Sequence, residues 1–155
     1  YTSYCHRIIC GEFIKKIFGI KSFGLRLEWH YAERGAAVTP HLDGSSNYGA
    51  QIFYFMTEKD WDPAWGGQTL ILGNEKPIPA ESSPELGDFS QVIKANCIGN
   101  NTLIFMNTPN AWHSVREFNP PSGVYRKIFT FFIQKPKPLK QRIKEGIKHL
   151  LHFKA

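Results

Sequence analysis

From residue 25 to residue 133 apolar and polar positions follow the two-residue rhythm of strands, broken at intervals by turn residues. Leu25-Arg26-Leu27-Glu28-Trp29-His30-Tyr31 is the plainest case, an alternation that predicts a half-buried strand with its apolar side inward. Glu33-Arg34-Gly35 reads as a turn, and 36–41 as a second strand. The polar, glycine-flanked stretch 44–49 reads as a loop. Further strands are predicted over 51–56, 68–72, 90–94, 102–106, 111–115 and 124–133. Between them lie a tryptophan- and glycine-rich turn at 61–67, a loop over 73–90 rich in proline, serine and glutamate, and the Pro120-Pro121-Ser122-Gly123 break. About eight short strands with regular turn signals and no intervening helices predict a mainly β sandwich or barrel, of jelly-roll type. A loop as long as 73–90 inside a compact domain suggests a mobile, substrate-selecting element at a pocket mouth, together with 44–49.

The two ends of the chain have a different texture. Ile8, Ile9, Phe13, Ile14, Ile17 and Phe18 fit a helical stripe interrupted by Gly11, predicting one or two helices over 1–24 that flank a sheet. Lys135-Pro136-Lys137-Pro138 is a stiff extended spacer. Beyond it Leu139, Ile143, Ile147, Leu150 and Leu151 fall on one face of a predicted C-terminal basic amphipathic helix. The expected organisation is therefore a domain over 1–134 and a linker plus helix over 135–155.

Charge sharpens that division. The chain of 155 residues carries a formal charge of +6, and residues 135–155 hold seven basic side chains against Glu145 alone. The remaining residues balance at twelve and twelve, so the basic character belongs to the tail and nucleic acid is not an expected partner. For the tail, packing on a sheet is preferred to contact with an anionic membrane surface, although a basic amphipathic helix supports both. No run of 18 apolar residues is present, no signal-peptide pattern is seen, and the expected compartment is the cytoplasm. Cys5, Cys10 and Cys97 are odd in number and contain no CxxC pair, which argues against a disulfide framework or a zinc knuckle.

The candidate chemistry lies in Thr39-Pro40-His41-Leu42-Asp43-Gly44 and Asn110-Ala111-Trp112-His113-Ser114-Val115. In a strand, positions 41 and 43 share a face, so an imidazole and a carboxylate can aim at one point. With His113 they form two histidines and one carboxylate, the donor set of non-haem Fe(II) oxygenases. Their ligating atoms are expected within about 3–4 Å of one another. His6, His149 and His152 lie in helical or terminal segments without a matching carboxylate, and His30 reads as a core or pocket-rim residue.

In order and spacing, His41-x-Asp43, Tyr54, Trp65-Gly66-Gly67, His113 and Arg126 resemble the Fe(II)/2-oxoglutarate-dependent oxygenases, in their prolyl hydroxylase-like branch. The likeness extends over roughly residues 25–134. It implies a double-stranded β-helix, Fe(II), 2-oxoglutarate, O₂ and ascorbate, with His41, Asp43 and His113 as metal ligands and no catalytic side chain beyond them. It further implies that Arg126 grips the distal carboxylate of 2-oxoglutarate and that the Tyr54 hydroxyl touches the same group. Two departures stand out. The thirteen-residue interval from His113 to Arg126 is longer than usual in the family, and Ile128 stands where a serine or threonine is common. Lys127 is therefore a rival anchor, because both faces of the last strand are apolar.

The implied activity is hydroxylation of an unactivated C–H bond in a prolyl residue or an amino-acid-like compound, so the expected partner is a small-molecule or peptidyl substrate. Asp43 speaks against a halogenase, which would need that ligand position vacant. The alternatives are a biosynthetic small-molecule hydroxylase of the same superfamily and a non-catalytic metal-binding β-helix interaction protein.

Overall fold

The computed structural model describes residues 11–138. Residues 11–18 are helical, and Gly11 belongs to that run instead of breaking it. The predicted C-terminal helix and the apolar positions Ile8 and Ile9 lie outside the described residues. Leu25–Gln134 forms one of two compact units of the chain. Among the described residues no helix is long and apolar enough to cross a membrane.

Eight strands make two four-stranded sheets: β1 (Gly24–Ala32), β2 (Val38–His41), β3 (Asn47–Tyr54), β4 (Thr69–Gly73), β5 (Gln91–Lys94), β6 (Thr102–Met106), β7 (His113–Val115) and β8 (Arg126–Gln134). The strand orders are β1-β8-β3-β6 and β2-β7-β4-β5. β3 runs antiparallel to β6 and β8, and β7 runs antiparallel to β2 and β4. Chain-adjacent strands mostly change sheet, as in a jelly roll.

Strand positions follow the sequence pattern closely, with two informative departures. β3 starts at Asn47, inside the stretch expected to be a loop, because Asn47 and Gly49 still find partners in Gln134 and Ile133 of the long β8. β1 is a strand, but its apolar side is not inward: Leu25, Leu27, Trp29 and Tyr31 are 45–65% exposed. Trp29 instead stacks on Phe129 and Phe55, with ring centroids 4.6 Å and 5.0 Å apart, while His30 reaches the cavity. Period-two alternation identifies the strand but does not say which face is covered, and here Trp29, His30 and Tyr31 all border a mostly apolar cavity.

The main core cluster contains Ile52, Tyr54, Met56, Trp61, Cys97, Phe118 and Ile128. A second contains Leu70, Leu72, Phe89 and Trp112. The loop between β4 and β5 closes on the second cluster through Ile78 and Phe89, and Asn74 ties its two ends together. The Asn74 amide donates to the Asp88 carbonyl (2.6 Å) and its side-chain oxygen accepts from the Ser90 N–H (3.0 Å).

The long connection from β7 to β8 docks against the turn after β1. Gly35 N–H donates to Phe118 O (2.7 Å), Phe118 N–H donates to Ala36 O (3.0 Å), and Arg34 donates to the Pro120 carbonyl. The thirteen-residue interval is thus taken up by backbone pairing outside the sheets, and β8 still begins at Arg126. Gly66 and Gly67 seat this connection at φ +82° and +76°. A Cβ on Gly66 would sit inside the van der Waals envelope of the Glu117 carbonyl oxygen. Gly66→Ala should therefore cost about 2–4 kcal/mol in urea unfolding, whereas Gly87→Ala, with open space around it, should stay within about 0.5 kcal/mol.

Candidate metal centre and the adjoining pocket

The antiparallel pairing of β2 with β7 sets His41 directly opposite His113. Their rings lie 4.2 Å apart. Asp43 falls beyond the last residue of β2, so its approach depends on the turn that follows the strand and not on strand alternation. The three side chains nevertheless converge, with ligand-capable atoms all within 4.8 Å of one another and His113 Nε2 3.8 Å from Asp43 Oδ1. That spread is wider than the expected 3–4 Å. Lone pairs aimed at one point repel, and bonds of about 2.1 Å to one small cation would draw cis ligands to about 3 Å.

Both imidazoles are prepared in the same way. His41 Nδ1 lies 2.9 Å from Thr39 O, and His113 Nδ1 lies 3.0 Å from Ala111 O. A carbonyl can only accept, so each Nδ1 carries the proton and each Nε2 keeps its lone pair. Burial holds the His113 pKa below its ordinary value; the Ala111 bond opposes this, the neighbouring His41 adds to it and Asp43 opposes it. The imidazole is thus neutral near pH 7, the form that binds metal. Asp43 Oδ2 is buried with no hydrogen-bond partner. An orphaned carboxylate oxygen beside two bare imidazole nitrogens is a donor set that fits a divalent transition-metal ion.

The same cavity, of about 470 Å³, is lined by His30, His41, Asp43, Ala50, Ile52, Thr69, Phe105, His113, Arg126 and Ile128 among others. Arg126 is 4% exposed. Its Nε donates to Gly67 O (2.6 Å) and its Nη2 to Thr69 Oγ1 (3.0 Å). No carboxylate among the described residues pairs with it. Burial lowers its pKa, yet an arginine starts so high that it stays charged. Lys127 points the other way and lies 3.7 Å from Asp60, half exposed.

Tyr54 does not line the cavity. It sits in the core, and its hydroxyl donates to Thr69 Oγ1 (3.0 Å); burial pushes its pKa well above the ordinary value. Thr69, which sequence reading passed over, is therefore the hydroxyl at the cavity wall. It accepts from both Tyr54 and Arg126, so its own hydrogen remains available to a ligand. The signal was present in Gly66-Gly67-Gln68-Thr69, which starts β4 with a hydroxyl just after the glycine pair. His30 lines the cavity and lies 3.4 Å from Glu28. The loop over 73–90 does not line it. Ala80, Ser82, Ser83, Pro84 and Glu85 instead line an adjoining cavity with Thr39, Pro40, His41, Leu42 and Trp112, so the loop borders the site on the other side of His41 while it is held down on the second core cluster.

The bare carboxylate has a stability consequence. Asp43→Asn removes the negative charge of a buried carboxylate whose Oδ2 has no partner. Without metal, this variant should melt no lower than the parent and up to about 4 °C higher by calorimetry, while losing metal binding.

No known protein family matches this chain by sequence, and no curated protein matches it. Among solved structures it is similar to a Pseudomonas putida prolyl-4-hydroxylase, with a TM-score of 0.55 and 15% sequence identity. The similarity covers 81% of this chain and 61% of that one, so the chain spans under two thirds of the length of its structural neighbour. At this identity the likeness is one of fold: a mainly β, two-sheet sandwich of the jelly-roll kind.

Proposed function

We propose that this chain is an Fe(II)- and 2-oxoglutarate-dependent dioxygenase that hydroxylates an unactivated C–H bond, in a prolyl residue or an amino-acid-like substrate. The observation that carries the reading is a single cavity holding two convergent imidazoles, a carboxylate and, on another wall, a buried arginine with no counter-ion among the described residues. The strand orders β1-β8-β3-β6 and β2-β7-β4-β5 support a double-stranded β-helix as the finer description of the sandwich. The fold likeness to a prolyl-4-hydroxylase agrees with it. The domain is taken to lie within residues 1–134.

In this reading His41, Asp43 and His113 hold the iron through Nε2, a carboxylate oxygen and Nε2. The bound metal supplies O₂ activation coupled to oxidative decarboxylation of 2-oxoglutarate, with ascorbate as the expected reductant that keeps it ferrous. Arg126 neutralises the distal carboxylate of 2-oxoglutarate, and an ion pair formed on a dry wall loses little to solvent screening. The Thr69 hydroxyl donates to that carboxylate, with Tyr54 orienting it from behind. Ala50, Ile52, Ile128 and Phe105 keep water from the reacting centre. The Phe105 ring, 4.7 Å from that of His113, also fixes the plane of the imidazole.

The test is succinate release from 2-oxoglutarate after anaerobic Fe(II) loading and admission of O₂, read by mass spectrometry with panels of prolyl peptides and free amino acids. Metal binding with neither 2-oxoglutarate affinity nor succinate would overturn the oxygenase reading and leave a metal-binding module. Arg126→Ala should raise the 2-oxoglutarate requirement about 10–100-fold while leaving metal affinity within about threefold. Lys127→Ala should change neither, since its exposed pair with Asp60 is worth about 0–1 kcal/mol.

A further inference from the structure

His41 and His113 are held by the β2–β7 ladder, but Asp43 lies past the end of β2, where no strand partner fixes it. The hold on this residue comes from the opposite sheet. Asn107 follows β6 directly. Its side-chain amide nitrogen lies 3.2 Å from Asp43 O, 3.0 Å from Gly44 O and 3.3 Å from Asn47 O. Its backbone N–H donates to Tyr48 O (2.8 Å), and the turn is closed by Asn47 N–H to Gly44 O (3.1 Å).

One NH₂ group thus sits inside a ring of three carbonyls that all belong to the turn carrying Asp43. An amide has two hydrogens, so the three acceptors share them, and the arrangement closes only if the turn keeps this curvature. A carbonyl oxygen is rigidly tied to its own Cα, so fixing Asp43 O fixes the origin of the Asp43 side chain. Phe105, two residues before Asn107, lies against the His113 ring. The end of β6 therefore braces a histidine and the carboxylate together.

From this geometry we infer that Asn107 is the positioning residue for the Asp43 ligand: its amide sets the turn that places the carboxylate against the two imidazoles. The inference rests on the metal-site reading above. The ligands' side-chain bonds hold the ion, while Asn107 sets the entropy cost of assembling them, because a free turn would have to be ordered each time the metal binds. Asparagine is suited to this place. A serine offers one hydrogen, and an aspartate would set lone pairs against three carbonyls.

The test is Co(II) binding to the full chain, followed by its visible absorption under anaerobic conditions, for the parent, Asn107→Ala, Asn107→Asp and a control, Phe131→Leu. Phe131 stacks on Phe53 and Phe129 and does not line the cavity, so its loss matches a general decrease in stability. Asn107→Ala and Asn107→Asp should each weaken Co(II) binding about tenfold or more, with a changed ligand-field spectrum, while the control binds as the parent does. The dissociation constant for 2-oxoglutarate at saturating metal should stay within about twofold in Asn107→Ala. If the Ala variant binds Co(II) as tightly as the parent with an unchanged spectrum, the inference is wrong. If Asn107→Ala does not fold, Asn107→Ser decides: an intermediate loss supports the assignment and parental affinity overturns it. A parent protein that fails to bind Co(II) at all overturns the metal-site reading itself, an outcome that the behaviour of Asn107 cannot produce.

Discussion

The antiparallel register of β2 with β7 is the constraint on which the rest depends. It places His41 across from His113, and both rings donate Nδ1–H to backbone carbonyls two residues upstream. The pairing holds the two imidazoles on neighbouring strands, with a register irregularity between Val38 and His41. Every other member of the site is added to that pair by weaker means. Asp43 arrives by a turn, Phe105 by a ring contact, and Arg126 by the start of a strand in the other sheet. Slipping β2 by one residue would remove His41 from the cavity and leave His113 facing a leucine or a proline.

The second wall of the cavity illustrates how a buried charge is held with no counter-ion among the described residues. The Arg126 fork is oriented by a carbonyl of the double-glycine turn and by a threonine hydroxyl, both of which lend partial negative charge. Gly67 can supply that carbonyl at close range because it has no side chain; a Cβ there would crowd Phe118 and the arginine stem. The turn, the core phenylalanine and the guanidinium therefore form one packed unit, in which the aromatic residue fixes the height of the charge above the sheet.

Most of the fold was legible in the sequence because strands announce themselves by alternation and by turn residues, and the eight elements lie close to where those signals put them. The faces were less legible. Leu25, Leu27, Trp29 and Tyr31 read as a core side, and nothing local says that this side would stay largely exposed, with Trp29 set against Phe55 and Phe129. The three metal-site candidates were legible from donor chemistry and spacing, although Asp43 converges for a different reason from the one that strand geometry suggests. Thr69 and Asn107 were not, because a threonine in a strand and an asparagine after one are ordinary. Their roles exist only through partners tens of residues away. The length of 73–90 was legible, but its anchoring was not: two bonds from Asn74 and the burial of Phe89 hold it on a core cluster, with 80–85 beside a cavity that His41 also lines.

The buried guanidinium of Arg126, with no carboxylate beside it among the described residues, also makes the stability of this molecule a property of the solution around it. Whatever anion enters the cavity binds the folded chain and not the unfolded one, so the unfolding free energy grows with the logarithm of that anion's concentration. A melting temperature taken in citrate or phosphate will then differ from one taken in chloride, and two preparations that differ only in buffer will rank the same set of variants differently.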